Sequence, residues 1–385
     1  MPVKAVYLDY AAATPLDPAV QKVMQPYFSD DFYNPSAAYL AAKKTRKAID
    51  LARSNVAKIL GARPSEVVFT AGASEANNLA IFGAATAYPK SHFVFSSLEH
   101  ESVSGPMHEL NARGNKTSEV KPNKAGIVAA DQVIKAVNEK TVLVSVMYAN
   151  NEIGTIQPLK EIASGLAKLK RQRLKSGNKL PLYFHTDAAQ AANFLDLHVS
   201  RLGVDMMSLN GGKIYGPKQS GILFVSRYVK LKPLIYGGGQ EMGLRSGTEN
   251  IANIIGFAKA LELAQQLKSA ENKRLQVLQS EFIRRLQASI PSIMINGSTT
   301  KRLPNNVHVT IPNSDNERLI FGLDSLGIQC AAGSACSASK DEPSHVLKAI
   351  GLSDKLAQAS LRFTMGRQTT KNDINYVVKN LQHLI

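Results

Sequence analysis

Cysteine is nearly absent from this chain: two residues in 385, Cys330 and Cys336, close together near the C-terminal end. That is too few for a disulfide framework, so in a reducing compartment the two are buried or reactive thiols. Long apolar runs are also missing. None approaches the ~20 residues that a membrane span needs, and Asp9 falls where a signal peptide needs its apolar centre. A cytoplasmic protein with no membrane association is expected. Acidic residues are scarce, 30 against 46 Lys and Arg, which leaves a net charge of +16. Such charge can attract nucleic acid or an acidic partner. Here it is dispersed, and no basic run is interleaved with aromatics, so a lysine-rich solvated surface is the expectation and direct nucleic-acid binding is not. The densest cluster, Lys168 to Lys175, reads as one exposed helix face. Repeats and low-complexity tracts are lacking too. What remains is an ordinary globular composition, 44% hydrophobic and 20% charged, long enough for two domains and a large core.

The pattern along the chain is apolar strand, polar cluster, helix, several times over. A helix opens at Asp17-Pro18, Asn34-Pro35-Ser36 marks a turn, and helical periodicity runs from Ala38 to Leu60. Val67-Val68-Phe69 then ends at Thr70 to Glu75, Phe93-Val94-Phe95 at Glu99-His100, Val142 to Val146 at Asn150-Asn151-Glu152, and Leu182-Tyr183-Phe184 at His185 to Gln190. Strands alternating with helices predict an α/β protein with a mostly parallel sheet. Ligands bind such sheets beyond the carboxyl ends of the strands, where these polar clusters fall. One long amphipathic helix is expected from Ile254 to Ser289. After it come a strand at Val307 to Ile311, a helix near Glu317 to Leu326, a strand at Ser360 to Thr364, and a last helix starting near Thr370 with Asp373 as capping partner. Residues 16–259 are read as a large domain, and 1–15 with 260–385 as a smaller α/β one.

Two apolar runs, Val204 to Leu209 and Gly221 to Val225, flank Asn210-Gly211-Gly212-Lys213-Ile214-Tyr215-Gly216-Pro217-Lys218. This reads as two strands joined by a glycine-rich turn with Lys213 at its tip. Taken alone it is a surface hairpin with a solvated lysine, or a lysine poised to form a Schiff base with an aldehyde cofactor. Thr70 to Ser74 is a strand-to-helix turn of small residues, whose bare N–H groups suit a phosphate. Asp187, just past a buried strand, is either a helix cap or the partner of a protonated ring nitrogen. His100 alone reads as a satisfied core histidine. Together these pieces meet the needs of pyridoxal 5′-phosphate.

The segments Tyr7 to Ala12, Asn34 to Ser36, Gly72 to Asn78, Glu99-His100, Asn150 to Gly154, His185 to Gln190, Lys213 to Lys218, Gly237 to Glu241, Leu244 to Asn250, Gly333 to Cys336 and Leu361 to Phe363 occur in an order that resembles the cysteine desulfurases of the NifS/IscS type. The resemblance covers essentially the whole chain. It implies the fold type I of pyridoxal-phosphate enzymes, class V, with the catalytic-cysteine loop on the smaller domain. It also implies roles. Lys213 holds the cofactor and moves the substrate α-proton, Asp187 keeps the ring nitrogen protonated, and His100 stacks on the ring. Gln190 and Asn151 contact the ring hydroxyl side, and Ala73 and Ser74 bind phosphate. Thr248 reaches the phosphate of the neighbouring subunit, which implies a two-fold homodimer. Asn34 and Arg362 hold the carboxylate of L-cysteine. Cys336 is the nucleophile that becomes a persulfide and hands sulfur to an acceptor protein, for iron–sulfur cluster assembly or tRNA thiolation. The small residues around Cys336 suit an exposed loop, whereas Cys330 reads as a small buried hydrophobe.

Four positions depart from the family pattern. Asn210 and Gly212 stand where it has a serine and a histidine that help grip phosphate, Tyr39 replaces a histidine, and Met242 an arginine. The readings that compete are a selenocysteine lyase, another enzyme of the class V aminotransferase fold, and a weakly active scaffold of a sulfur-transfer complex.

Overall fold

The computed structural model describes residues 5–333 and 343–385. Its strands are, in chain order, β1 (Val6–Tyr7), β2 (Val67–Thr70), β3 (His92–Ser96), β4 (Lys116–Val120), β5 (Thr141–Ser145), β6 (Tyr183–Asp187), β7 (Met206–Asn210), β8 (Gly221–Val225), β9 (Met294–Ile295), β10 (Asn306–Thr310), β11 (Ile328–Gln329) and β12 (Ser360–Thr364). Seven of them form one sheet in the order β2-β8-β7-β6-β5-β3-β4. β8 runs antiparallel to both its neighbours, and the remaining pairs are parallel. The carboxyl ends of β2, β3, β5, β6 and β7 therefore share one edge. β9, β10 and β12 make a small antiparallel sheet, and β1 pairs with β11. This is the expected mixed α/β architecture.

Most strands of the large sheet are buried on both faces, as apolar strands between helix layers must be. Alternate residues serve different cores. Ile222 and Phe224 of β8 pack with the Leu40–Leu60 and Leu159–Lys175 helices and the first half of the long helix. Leu223 and Val225 pack with the Ala73–Ala87 and Glu101–Ala112 helices. The long helix, Ile251–Ser289, is continuous. Its Phe257 and Leu261 belong to the first of these cores, while Leu275, Phe282 and Leu286 belong to a third, with β10, β12 and the arm residues Val6 and Leu8. Its N-cap is Asn250, and Thr370 and Asp373 form the expected capping box of the last helix.

One reading needs correction. The Lys168 to Lys175 cluster is not wholly a solvated face: Arg173 is buried, and its guanidinium donates to the carbonyls of Thr141, Pro181 and Asn138. Backbone carbonyls at the start of β5 and ahead of β6 supply the acceptors that make this burial tolerable.

Two buried polar seams brace the large sheet. Arg53 grips Glu241 through two parallel bonds of 2.6 and 2.8 Å and donates to Val67 O, while Phe69 N–H donates to Glu241 Oε2. This fork pins the segment leading to Thr248 onto β2. His185, in β6, lies between Ser145 of β5 and Ser208 of β7, at 2.9 and 3.0 Å. Burial lowers its pKa to about 4, so it is neutral at pH 7.

Arg53→Ala should cost about 3–5 kcal/mol in denaturant unfolding, because Glu241 would be left charged and unpaired in the interior. A loss within the ~1 kcal/mol of an exposed pair would show that the fork is unimportant. The histidine generates a pH dependence. Between its unfolded value of about 6.5 and its folded value of about 4, the unfolded chain takes a proton that the folded one refuses. Stability should therefore fall as pH drops through that window, by up to about 1.4 kcal/mol per unit from this group. His185→Gln should reduce the slope, leaving the share of His308, at least as large because burial lowers it to about 3. Identical slopes in denaturation series from pH 7 to 4.5 would rule the contribution out.

Candidate active site

The site is built on the shared edge of the sheet. The β7–β8 connection begins with a single 3-10 turn, Gly211–Lys213, capped by Asn210, whose Oδ1 accepts Gly212 N–H at 2.9 Å. With its oxygen so committed, the amide of Asn210 presents Nδ2 outward, toward Gly72. Lys213 is half-buried at the turn's end and its ammonium donates to Ala12 O. The turn is held down by the N-terminal arm. Thr14 donates both its N–H and its hydroxyl to Gly212 O at 3.1 Å and accepts Tyr215 N–H at 2.8 Å.

Facing the lysine is the β2-to-helix turn. Gly72, at φ 141°, is the N-cap of the 15-residue Ala73–Ala87 helix, in a backbone conformation that favours glycine. The close fit of β8 depends on a second glycine: a Cβ on Gly221 would lie 2.6 Å from Leu209 O and 2.7 Å from Gly72 Cα. Ala71 N–H donates to Glu75 Oε2, and Arg245 Nε reaches Glu75 Oε1 at 2.9 Å. Lysine turn, helix start and arm enclose one cavity of about 350 Å³, walled by Ala12, Ala13, Ala71 to Glu75, Asn210, Gly212, Lys213, Lys218 and Gln219. That is the size of a small-molecule site. A primary amine on one wall, free N–H groups of a helix start on another, and an amide donor between them fit a phosphorylated aldehyde.

Further along the edge, Asp187 closes β6 and is 5% exposed. Its Oδ1 accepts Ala189 N–H at 2.9 Å and its Oδ2 accepts Asn77 Nδ2 at 2.8 Å, which leaves room for a third donor. Asn77 Nδ2 also donates to Ser102 Oγ, which sits 2.9 Å from His100 Nδ1. A polar chain thus joins Asp187 to His100, the N-cap of the Glu101–Ala112 helix. Burial pushes the Glu99 carboxyl well above the usual range, and the Asp187 charge adds to the effect.

Arg362, on β12, is 1% exposed. It donates from Nη2 to Asp9 Oδ1 at 2.6 Å and from Nη1 to Asn151 O at 3.0 Å. The contact thus uses the Asn151 carbonyl. Gln190 donates to Ala11 O at 3.0 Å. Asn34 lies in an exposed turn, its Oδ1 accepting Ser36 N–H, and is not among the residues that wall the cavity. Thr248 is exposed and outside that wall as well. Cys336 falls outside the described residues. Cys330 is partly buried against the third core, and burial pushes its thiol up to about 12.

Three contributors escape sequence reasoning: Asn77, the Asp9 carboxylate and the Ala11 to Thr14 backbone. Asn77 left one signal, a lone amide one position after Ala76 and two before Leu79 on a buried helix face. The arm left only the Tyr7 to Ala12 motif, which names no partner, since its contacts with Gln190, Lys213 and Lys218 are made by carbonyl oxygens that any residue could offer.

The aminotransferase class-V family model matches residues 6–377. Cysteine desulfurase IscS of Dictyoglomus turgidum is 41% identical over 99% of this chain and 95% of its own length. Cysteine desulfurase IscS of Clostridium botulinum (strain Hall) is 42% identical over 99% of this chain and 94% of its own. Among solved structures, a NifS-like protein superposes with a TM-score of 0.90 at 31% identity, over 99% of each chain. SspA, solved in complex with cysteine, gives 0.79 at 38% identity, over 94% of this chain and 98% of that one. The cavity that joins Lys213 to the helix start of Ala73 is thus set in a fold and a sequence shared along the whole chain, and the protein belongs to the IscS/NifS-like cysteine desulfurases of the pyridoxal-phosphate-dependent aminotransferase class-V family.

Proposed function

We propose that this chain converts L-cysteine to L-alanine and passes the sulfur, as a persulfide on Cys336, to an acceptor protein serving iron–sulfur cluster assembly or tRNA thiolation. The observation that carries this reading is the meeting of Lys213 and the Gly72 to Ser74 turn in one cavity. Pyridoxal 5′-phosphate, when bound, supplies an electron sink for the substrate α-carbon. The chain's own residues do the rest. The Lys213 amine would attach the cofactor and then move the α-proton. Asp187, steadied by Asn77, would accept a hydrogen bond from the ring nitrogen. His100 would stack on the ring, and Gln190 and Asn151 would contact its hydroxyl side. Ala73 and Ser74 would hold the phosphate with N–H groups and the Ser74 hydroxyl, and Asn210 would add its Nδ2, while Gly212, its N–H already given to Asn210 Oδ1, would line the site without a donor of its own. Thr248 serves the phosphate of a two-fold partner, so the active species is a homodimer. Arg362 and Asn34 take the substrate carboxylate.

The sulfur step balances without an outside oxidant. The Cys336 thiolate attacks the substrate sulfur, the substrate C–S bond breaks, and the carbon keeps the electron pair and takes a proton. Alanine leaves, and the persulfide stays on Cys336. No helix among the described residues is long and apolar enough to cross a membrane. A cytoplasmic location belongs to the same proposal.

The direct test is alanine formation from L-cysteine by the purified protein, with the visible absorbance of the bound cofactor followed in parallel. No alanine from a cofactor-loaded protein would sink the reading. Cys336→Ser should keep that absorbance, still respond spectrally to cysteine, and release essentially no sulfide; wild-type release would move the nucleophile elsewhere. Cys330→Ser should be nearly silent in turnover. Arg362→Ala removes a charge-assisted contact of about 1.5–3 kcal/mol, so KM for cysteine should rise by roughly ten- to a hundredfold. An unchanged KM would mean that the carboxylate binds at another residue.

A further inference from the structure

We infer that Lys218 is a further cofactor-binding residue, the cation that balances the cofactor's phosphate. The inference rests on the pyridoxal-phosphate reading of the cavity and adds a residue to it. Among the described residues that wall the cavity, the charged side chains are Glu75, Lys213 and Lys218. Glu75 is engaged by Arg245 and by Ala71 N–H. Lys213 is committed to the covalent attachment of the cofactor. The donors at the helix start, the Ser74 hydroxyl and Asn210 Nδ2 are all neutral. A phosphate dianion there leaves Lys218 as the cation on this wall that no other role claims.

The geometry places the Lys218 ammonium for this task. It donates to Thr14 O at 2.8 Å, which uses one of its three protons. Thr14 in turn bonds Gly212 O, so the head is tied to the same turn that carries Lys213. The backbone behind Lys218 is fixed as well. Asn253 Nδ2 reaches Gln219 O at 3.2 Å, and Gln219 turns the chain at φ 55°. The glycine at 212 completes the arrangement. A Cβ there would lie 3.4 Å from Asn210 Oδ1 and 3.7 Å from Lys218 Cγ, ordinary contact distances, so the lysine stem runs directly beside the glycine. Gly212 and Lys218 act together: the first gives up a side-chain donor, and the second brings a charge through the room that is left.

The test compares two probes that differ only in the phosphate. Wild type, Lys218→Met and Lys218→Arg are stripped of cofactor, then titrated with pyridoxal 5′-phosphate and with pyridoxal, following the absorbance of the Lys213 adduct. Methionine keeps the stem and removes the charge at an exposed position, so folding is not at stake. Lys218→Met should bind pyridoxal phosphate roughly tenfold or more weakly, the size of one charge-assisted contact. It should bind pyridoxal as wild type does, and Lys218→Arg should retain most of the affinity. Wild-type affinity of Lys218→Met for the phosphate form would overturn the inference. An equal loss for both probes would overturn it too, since the lysine would then support the turn rather than the phosphate. Failure of the underlying reading has a separate signature: no adduct in wild type, or one that survives in Lys213→Ala.

Discussion

The lysine turn, Gln190 and Arg362 all lean on the arm from Asp9 to Thr14 near the N-terminus. Asp9 meets the Arg362 guanidinium, Ala11 O accepts Gln190, Ala12 O accepts Lys213, and Thr14 bonds both Gly212 and Lys218. A buried strand of chain cannot leave its carbonyls unpaired. Here the arm's polar groups are satisfied by side chains proposed to act in the chemistry, and those side chains are satisfied by the arm. The arm is itself held on the other side, by Thr364 N–H on Leu8 O and by the pairing of β1 with β11. A displacement of the arm would therefore loosen the lysine turn and the arginine together.

The distribution of charge along the sheet edge follows from burial. At one end, Asp187 sits among hydrogen-bond donors, while burial pushes the Glu99 carboxyl up and keeps His185 neutral at pH 7. At the other end are neutral N–H groups, two lysines and Glu75, which Arg245 engages. On the proposed reading, a ring protonated at its nitrogen and anionic at its phosphate would lie along this gradient. The Arg362 guanidinium, buried and held by Asp9 and the Asn151 carbonyl, is oriented before any substrate arrives. Its remaining N–H groups are available to a carboxylate at little further cost in side-chain entropy.

Much of this was legible in the chain. β8 begins and ends where the apolar run Gly221 to Val225 does, because a strand packed between two apolar layers favours apolar residues at every position, and β12 spans the predicted Ser360 to Thr364 although three of its five buried residues are polar. The capping box at Thr370 is a local hydrogen-bond pattern and reads locally. The polar cluster after each strand marked the edge where the cavity lies. Arg173 did not read correctly, since its burial depends on carbonyls of Thr141, Asn138 and Pro181 brought in by tertiary packing.

Sequence alone determined the strand–helix alternation, the lysine turn, the small-residue helix start and the family, because each is written in local periodicity or in ordered motifs. Tertiary structure decided which of these meet. Asp9 and Arg362 are 353 positions apart, and Lys213 and Ala12 are 201 apart. Nothing in either neighbourhood names the other. Backbone carbonyls carry no residue identity, so the arm's grip on Gln190, Lys213 and Lys218 had no sequence signature. The orientation of the Asn210 amide and the emptiness beside Gly212 are likewise properties of packing. They arise only when β7, β8 and the β2 turn are brought within contact distance by the folded sheet.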